Sequence, residues 1–157
     1  MTSMKRRIFL KGSLATGAVG MAVSTGLLTP RVSLAAWSKA AFEATDVNGG
    51  VSALFGSSGM DKSDKIKIKA PDIAENGAVV PVTVSSSMSN VEAISIIASA
   101  NASPLTSSYQ LSPACEAFVS TRIKMGKTAD VIAVVKADGK LYSATKEVKV
   151  TIGGCGG

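Results

Sequence analysis

A chain of 157 residues has room for one hydrophobic core and one domain. It contains no histidine, which excludes His-based catalytic triads, His-containing zinc sites and histidine-ligated haem. The formal charge of +6 is concentrated at one end: residues 1–35 hold Lys5, Arg6, Arg7, Lys11 and Arg31 and no acid, so the remainder carries only +1, without the basic patch that nucleic-acid binding needs.

The basic end reads as an address. Lys5-Arg6-Arg7-Ile8-Phe9-Leu10-Lys11 has the twin arginine, apolar pair and following lysine of a twin-arginine export signal, with Lys5 where Ser or Thr is common. The Gly/Ala-rich run from Gly12 to Leu28 is short for a transmembrane helix, which needs about 20 predominantly apolar residues. Ser33-Leu34-Ala35 places small residues where a signal peptidase reads them, so cleavage is expected after Ala35, with Ala36 the alternative. Residues 1–35 are thus an export signal to the periplasm, an oxidising compartment. The mature protein is not expected to hold a membrane.

Residues 36–60 read as a helical segment. Trp37, Ala41 and Ala44 share one spacing, and Val51, Leu54 and Phe55 another, with Asn48-Gly49-Gly50 expected to separate the two pieces. Trp37 is expected to dock the segment. Gly56-Ser57-Ser58-Gly59 is a loop.

Residues 61–152 carry strand signals. Ile66 and Ile68 alternate with Lys65, Lys67 and Lys69, the expected wet face. Val80, Val82 and Val84 alternate with Pro81, Thr83 and Ser85, and Pro81 suggests a sheet edge or strand start. Val91–Ala98 is β-branched enough for a strand, although a helix would also suit it. Ser107–Leu111 is a weaker strand. Val119, Thr121 and Ile123 alternate with Ser120, Arg122 and Lys124. Val131–Lys136 is almost wholly apolar, as a central strand or a docking strand would be. Asp138-Gly139 marks a two-residue hairpin turn into a long last strand, Leu141–Ile152. About seven short strands in one small domain predict an immunoglobulin-like antiparallel β-sandwich.

The chain ends Gly153-Gly154-Cys155-Gly156-Gly157. Four glycines widen the backbone's conformational range and offer no packing surface. Three residue steps from Ile152 let Cys155 reach about 10 Å beyond the last strand. A thiol becomes a strong nucleophile beside Lys, Arg, His or a helix N-terminus, and none adjoins Cys155 in the tail. It is therefore better suited to being a handle, carrying a small group on sulfur into other proteins' active sites, than to catalysis. No catalytic residue, metal ligand or cofactor site is expected. A Cys115–Cys155 disulfide remains open on arithmetic, with Cys115 otherwise expected to pack half-buried as a small apolar group.

This ending resembles that of SoxY, the Y subunit of the bacterial sulfur-oxidation (Sox) carrier. Two internal stretches extend the resemblance: Pro71-Asp72-Ile73-Ala74-Glu75-Asn76-Gly77-Ala78-Val79-Val80-Pro81-Val82, similar to the family's P-x-I-A-E-N-G-x-x-V-P-V, and Phe118–Thr128, which holds its V-S-T-R-I-K segment. The resemblance implies that Cys155 carries sulfur intermediates covalently and that the Z subunit forms a heterodimer with this chain. It also implies a c-type cytochrome that joins thiosulfate to Cys155 and a manganese-dependent hydrolase that releases sulfate. A molybdenum–haem dehydrogenase that oxidises the remaining sulfane sulfur is a further partner the resemblance implies. The roles of the internal stretches stay open: Asn76-Gly77 reads as turn chemistry, and Arg122 and Lys127 as a solvated face or a partner contact. The competing reading is an exported structural sandwich whose tail cysteine forms a disulfide. A thiol–disulfide oxidoreductase would need a C-x-x-C, and the chain has none.

Overall fold

The hairpin turn at Asp138-Gly139 aligns the longest pair of strands, and the rest of the domain is laid against that pair. Asp138 has φ +50° and Gly139 φ +72°, the two positive angles that a tight hairpin with right-handed strand twist requires. In the computed structural model, which describes residues 38–151, this turn joins β8 (Ala129–Ala137) to β9 (Lys140–Val150) in register from Ala137↔Lys140 to Ala129↔Val148. The described residues all fall in one compact unit, 37–157. The export signal and its cleavage after Ala35, the docking of Trp37, and Ile152 with the Gly153–Gly157 tail and Cys155 lie outside the described residues.

The remaining elements are α1 (Lys39–Glu43), α2 (Val47–Phe55), β1 (Asp61–Lys62), β2 (Ile66–Lys69), β3 (Ile73–Ala74), β4 (Val80–Ser86), β5 (Val91–Ala98), β6 (Leu105–Gln110) and β7 (Phe118–Ile123). One sheet runs β1-β9-β8-β5-β6, with β3 also paired to β9; the other runs β2-β4-β7. The two sheets close on one core: Val80, Val82 and Val84 from β4 and Val119 and Ile123 from β7 meet Ile94 and Ile96 from β5 and Val131, Ala133 and Val135 from β8. This is the expected immunoglobulin-like sandwich, in which alternate residues of each strand point inward. Val91–Ala98 is a strand. The weak strand starts two residues earlier than expected, at Leu105. The two-residue strands β1 and β3 carry no periodicity that a sequence can reveal.

The apolar run of β8 has a different explanation from docking. Val131, Ala133 and Val135 face the sandwich core, whereas Ile132 and Val134 join Ile97, Leu105 and Leu141 against Ala41 of α1 and Val51 of α2. The helices therefore cover the outer face of the larger sheet, and β8 is buried on both sides. Both faces of Val131–Val135 therefore pack within the domain, Ile132 only in part.

The helical segment also corrects the expected break. Asn48, Gly49 and Gly50 lie inside α2, and the chain bends at Ala44–Asp46 instead. Asp46 caps α2 by accepting a hydrogen bond from Gly49 N–H at 2.7 Å. Gly50 is buried, and a Cβ there would stand 3.4 Å from the Ala41 carbonyl and 3.8 Å from Leu105 Cβ. These glycines serve close packing and capping, which outweigh the roughly 1 kcal/mol propensity cost of Gly in a helix.

Pro81 sits in β4, the middle strand of its sheet, opposite Arg122. It is nevertheless tolerated, because β2 pairs only with Thr83–Ser86 of β4. At Pro81 the strand is locally an edge, where a missing N–H breaks no ladder on that side.

Candidate functional site

The C-terminal end of β9 is where the three stretches singled out in the sequence converge. β3, from the P-x-I-A-E-N-G stretch, lies parallel to β9, with Ile73 opposite Lys149 and Ala74 opposite Val150. Lys149 N–H donates to Asp72 O at 3.0 Å, and Thr151 N–H to Ala74 O at 3.2 Å. On the other edge, pairing with β8 has ended at Ala129. There Thr128 Oγ1 takes over, accepting from Val150 N–H at 2.9 Å. The two internal stretches are tied to each other as well, since Met125 N–H donates to Gly77 O at 2.7 Å.

A lysine reinforces this end. Lys146 Nζ donates to Ala70 O at 2.6 Å and stands 3.0 Å from Asp72 Oδ1. Its ammonium head holds the segment that carries β3. Asn76 closes the following turn with Oδ1 accepting from Ala78 N–H at 2.9 Å, the expected turn chemistry, but Gly77 O has the further task of receiving Met125. The result is a β9 terminus held from both edges up to Thr151, two residues before the Gly153-Gly154-Cys155-Gly156-Gly157 tail begins. Sequence reasoning did not place Asp72, Gly77, Thr128 and Lys146 here. The two internal stretches were the available signal, but nothing local in them says that they meet the tail.

Ile73 (57 % exposed) and Val79 (50 % exposed) stand out from the same stretch as exposed apolar side chains. Arg122 and Lys127 are exposed, Arg122 on β7 and Lys127 in the loop leading to β8. Among the described residues no three or more Cys, Asp or Glu come together as a set able to hold a metal ion, and no helix is long and apolar enough to cross a membrane.

Cys115 corrects the expectation of a half-buried thiol. It is exposed, in a turn closed by Cys115 N–H donating to Ser112 O at 2.9 Å, between β6 and β7 and outside the sandwich. It lines a cavity of about 480 Å³ with Ser86, Val91 and Phe118. Val91 pairs with Ala137, at the hairpin end of β8, so this cavity lies at the end of the sandwich opposite the β9 terminus.

Comparison with known proteins follows the same outline. Residues 51–155 match the family described as "Sulfur oxidation protein SoxY". The structure of the sulfur carrier protein SoxY from Chlorobium limicola f thiosulfatophilum is similar at 50 % identity and a TM-score of 0.60, covering 65 % of this chain and 93 % of that one. A superoxide reductase (neelaredoxin) from Ignicoccus hospitalis is similar at 19 % identity and a TM-score of 0.52, covering 58 % of this chain and 94 % of that one, a likeness of fold alone. Among the curated proteins none matches the chain. A family match that spans most of the β-sandwich and reaches Cys155, with half the aligned residues identical to a SoxY of solved structure, establishes that this chain belongs to the SoxY family of sulfur oxidation proteins.

Proposed function

We propose that this protein is a covalent sulfur carrier and not an enzyme, holding thiosulfate-derived sulfur on the thiol of Cys155 and presenting it to partner enzymes on the arm Gly153–Gly157. The observation that carries this reading is the extent of the family match, which runs to Cys155 itself. The relative half identical to this chain is described as a sulfur carrier protein, in agreement.

The anchoring of β9 supports the mechanical part. Hydrogen bonds to Asp72, Ala74 and Thr128 hold the β9 end at Lys149, Val150 and Thr151, and four residue steps from Thr151 span about 14 Å at most. A handle needs this combination of a fixed base and a narrow, bulk-free tip. Oxidative loading joins the Cys155 sulfur to the sulfane sulfur of thiosulfate; the thiol proton is released and two electrons pass to a c-type cytochrome. Hydrolysis by a manganese-dependent partner then cleaves the bond to the terminal sulfonate, and water supplies the oxygen that makes sulfate. A molybdenum–haem partner oxidises the remaining sulfane sulfur before a second hydrolysis frees the thiol. The Z subunit is the expected heterodimer partner, and the twin-arginine signal over Lys5–Lys11 is expected to deliver the chain folded to the periplasm.

The geometry of Cys115 disfavours an intrachain clasp. The eight residue steps of β8 from Ala129 to Ala137 place the two ends of the sandwich about 26 Å apart at roughly 3.3 Å per step. From Val150, five steps to Cys155 cover about 18 Å even if fully extended, and disulfide-bonded Cα atoms lie within about 7 Å of each other.

Cys155→Ser tests the proposal. Thiosulfate oxidation reconstituted with the partner enzymes is expected to stop, while the circular-dichroism spectrum and unfolding midpoint stay unchanged; undiminished turnover would overturn the carrier role. Intact mass spectrometry of the native protein, with and without reductant, should find a reducible sulfur adduct on the C-terminal peptide.

A further inference from the structure

The outer face of the smaller sheet is cationic. Lys67 and Lys69 of β2 and Arg122 of β7 are exposed on it, each alternating with a core residue of its strand. Between these two edge strands, β4 presents only Pro81, Thr83 and Ser85. The register sets Lys67 beside Ser85, Lys69 beside Thr83, and Arg122 beside Pro81. The hydroxyls of Thr83 and Ser120 hydrogen-bond to each other at 3.0 Å across the same face. The outward positions of the three strands hold no acid.

Lysines on an edge strand guard against edge-to-edge pairing, which accounts for β2. It does not account for Arg122 on the opposite edge strand, or for Phe118, which is 54 % exposed and stands opposite Ser85. A sheet face in water gains by pairing opposite charges across strands. Here each lysine faces a hydroxyl instead, and among the described residues no ion pair or side-chain hydrogen bond engages Lys67, Lys69 or Arg122. The charge is also segregated: residues 36–157 carry +1 in all, so with +3 on this face the rest carries −2. Small side chains on β4 leave the centre flat. Phe118 and Arg122, four steps apart on β7, are about 13 Å from each other, and both belong to the residue types enriched where proteins meet.

We propose that the outer face of the β2-β4-β7 sheet, through Lys67, Lys69 and Arg122, is a transient docking surface for a partner enzyme that presents an acidic face. The proposal rests on the carrier reading above and adds the surface by which the carrier is recognised. Charge complementarity chooses the occupant: three cations without partners repel a second copy of the same face and attract carboxylates. The patch is small and its charges are in solvent, so each contact is weak and screened by salt. Such a surface steers encounter and orientation more than it holds a complex together. A carrier that must leave each partner after one step needs that combination of fast arrival and easy release.

The test is thiosulfate oxidation reconstituted with the partner enzymes, using carrier isolated from its native cells as the varied substrate of each enzyme in turn. In the Lys67→Glu/Lys69→Glu/Arg122→Glu variant the KM for the carrier is expected to rise about tenfold or more with at least one enzyme at low salt, while kcat at saturation is unchanged. The neutral Lys67→Gln/Lys69→Gln variant should fall between it and the wild type. The ratio of variant to wild-type KM should shrink as salt rises from about 0.01 M to 0.1 M and the Debye length falls from about 30 Å to 10 Å. Lys140→Glu, at the exposed hairpin turn, is the control for charge change away from the face. Circular dichroism and the unfolding midpoint report that each variant is folded. A KM that matches the wild type with every enzyme, or a rise that salt does not diminish, overturns the proposal. So does failure of acetic anhydride to label Lys67 and Lys69 in the purified heterodimer while it labels Lys140, because the face would then belong to the permanent interface. Turnover that continues undiminished in Cys155→Ser overturns the carrier reading and this one with it; turnover that needs Cys155 but ignores the face overturns this one alone.

Discussion

Glu92 shows how one carboxylate couples this sandwich to pH. It accepts from Lys136 Nζ at 2.6 Å and from Gly139 N–H at 3.0 Å, bridging β5 to the β8–β9 turn. The hydrogen bond from Lys136, and then that from Gly139, hold its carboxyl below the ordinary carboxylate value. A depressed folded-state value contributes stability that is present above the unfolded value, about 4.3, and is lost as pH falls through the folded one. Urea midpoints measured from pH 6 down to pH 3 should therefore fall more steeply for the wild type than for Glu92→Gln. Asp46 is the second residue with a single legible task. Asp46→Ala removes the cap on Gly49 N–H and is expected to cost about 1 kcal/mol in unfolding free energy, read from the same titrations. Gly50 shows where residue-scale reading stopped. A Gly-Gly pair suggested a break, but the buried approach to the Ala41 carbonyl explains it, and that carbonyl belongs to a different helix.

β8 and β9 set the stability of the domain and the position of the tail. Val134, fully buried between the larger sheet and the helices, reports on the covering layer. Val134→Ala should destabilise by about 2 kcal/mol, since it deletes two methyl groups at roughly 0.8 kcal/mol each and leaves a small void. A solvated outer sheet face would show almost no loss, so the unfolding midpoint distinguishes the two. β9 ends under a different kind of control. Lys146→Ala removes the donor to Ala70 O and the partner of Asp72, at an expected cost of about 1 kcal/mol. The effect should be local: amide hydrogen exchange at Lys149 and Thr151, which donate to the segment that Lys146 holds, should quicken while exchange in β5 does not. Strand alternation made β4, β7 and β9 legible in advance, because burying one face imposes a period of two. β8 was legible as a strand but not in its use, because an unbroken apolar run reads the same whether its second face meets a helix or a partner.

At the scale of the molecule, the length of the sandwich separates Cys115 from the end of β9. Mild oxidation of the native protein should therefore yield mixed or intermolecular disulfides at Cys155, with no intrachain loss of two hydrogens in the intact mass. A Cys115–Cys155 peptide recovered after digestion of monomer would contradict the separation of the two ends. By itself the amino-acid sequence determined the export signal as an expectation, the all-β class, the hairpin at Asp138-Gly139, the family resemblance and Cys155 as the residue of interest. Each of these rests on local pattern, where spacing, φ preference or a short motif suffices. Only the tertiary structure decided that α1 and α2 cover the outer face of the larger sheet, that Cys115 is exposed at the far end, and that Asp72, Gly77, Thr128 and Lys146 gather around the root of the tail. Those facts depend on strand order and on hydrogen bonds between residues tens of positions apart, such as Lys146 to Ala70. A one-dimensional pattern records which face a residue presents, but not which distant segment will be there to meet it.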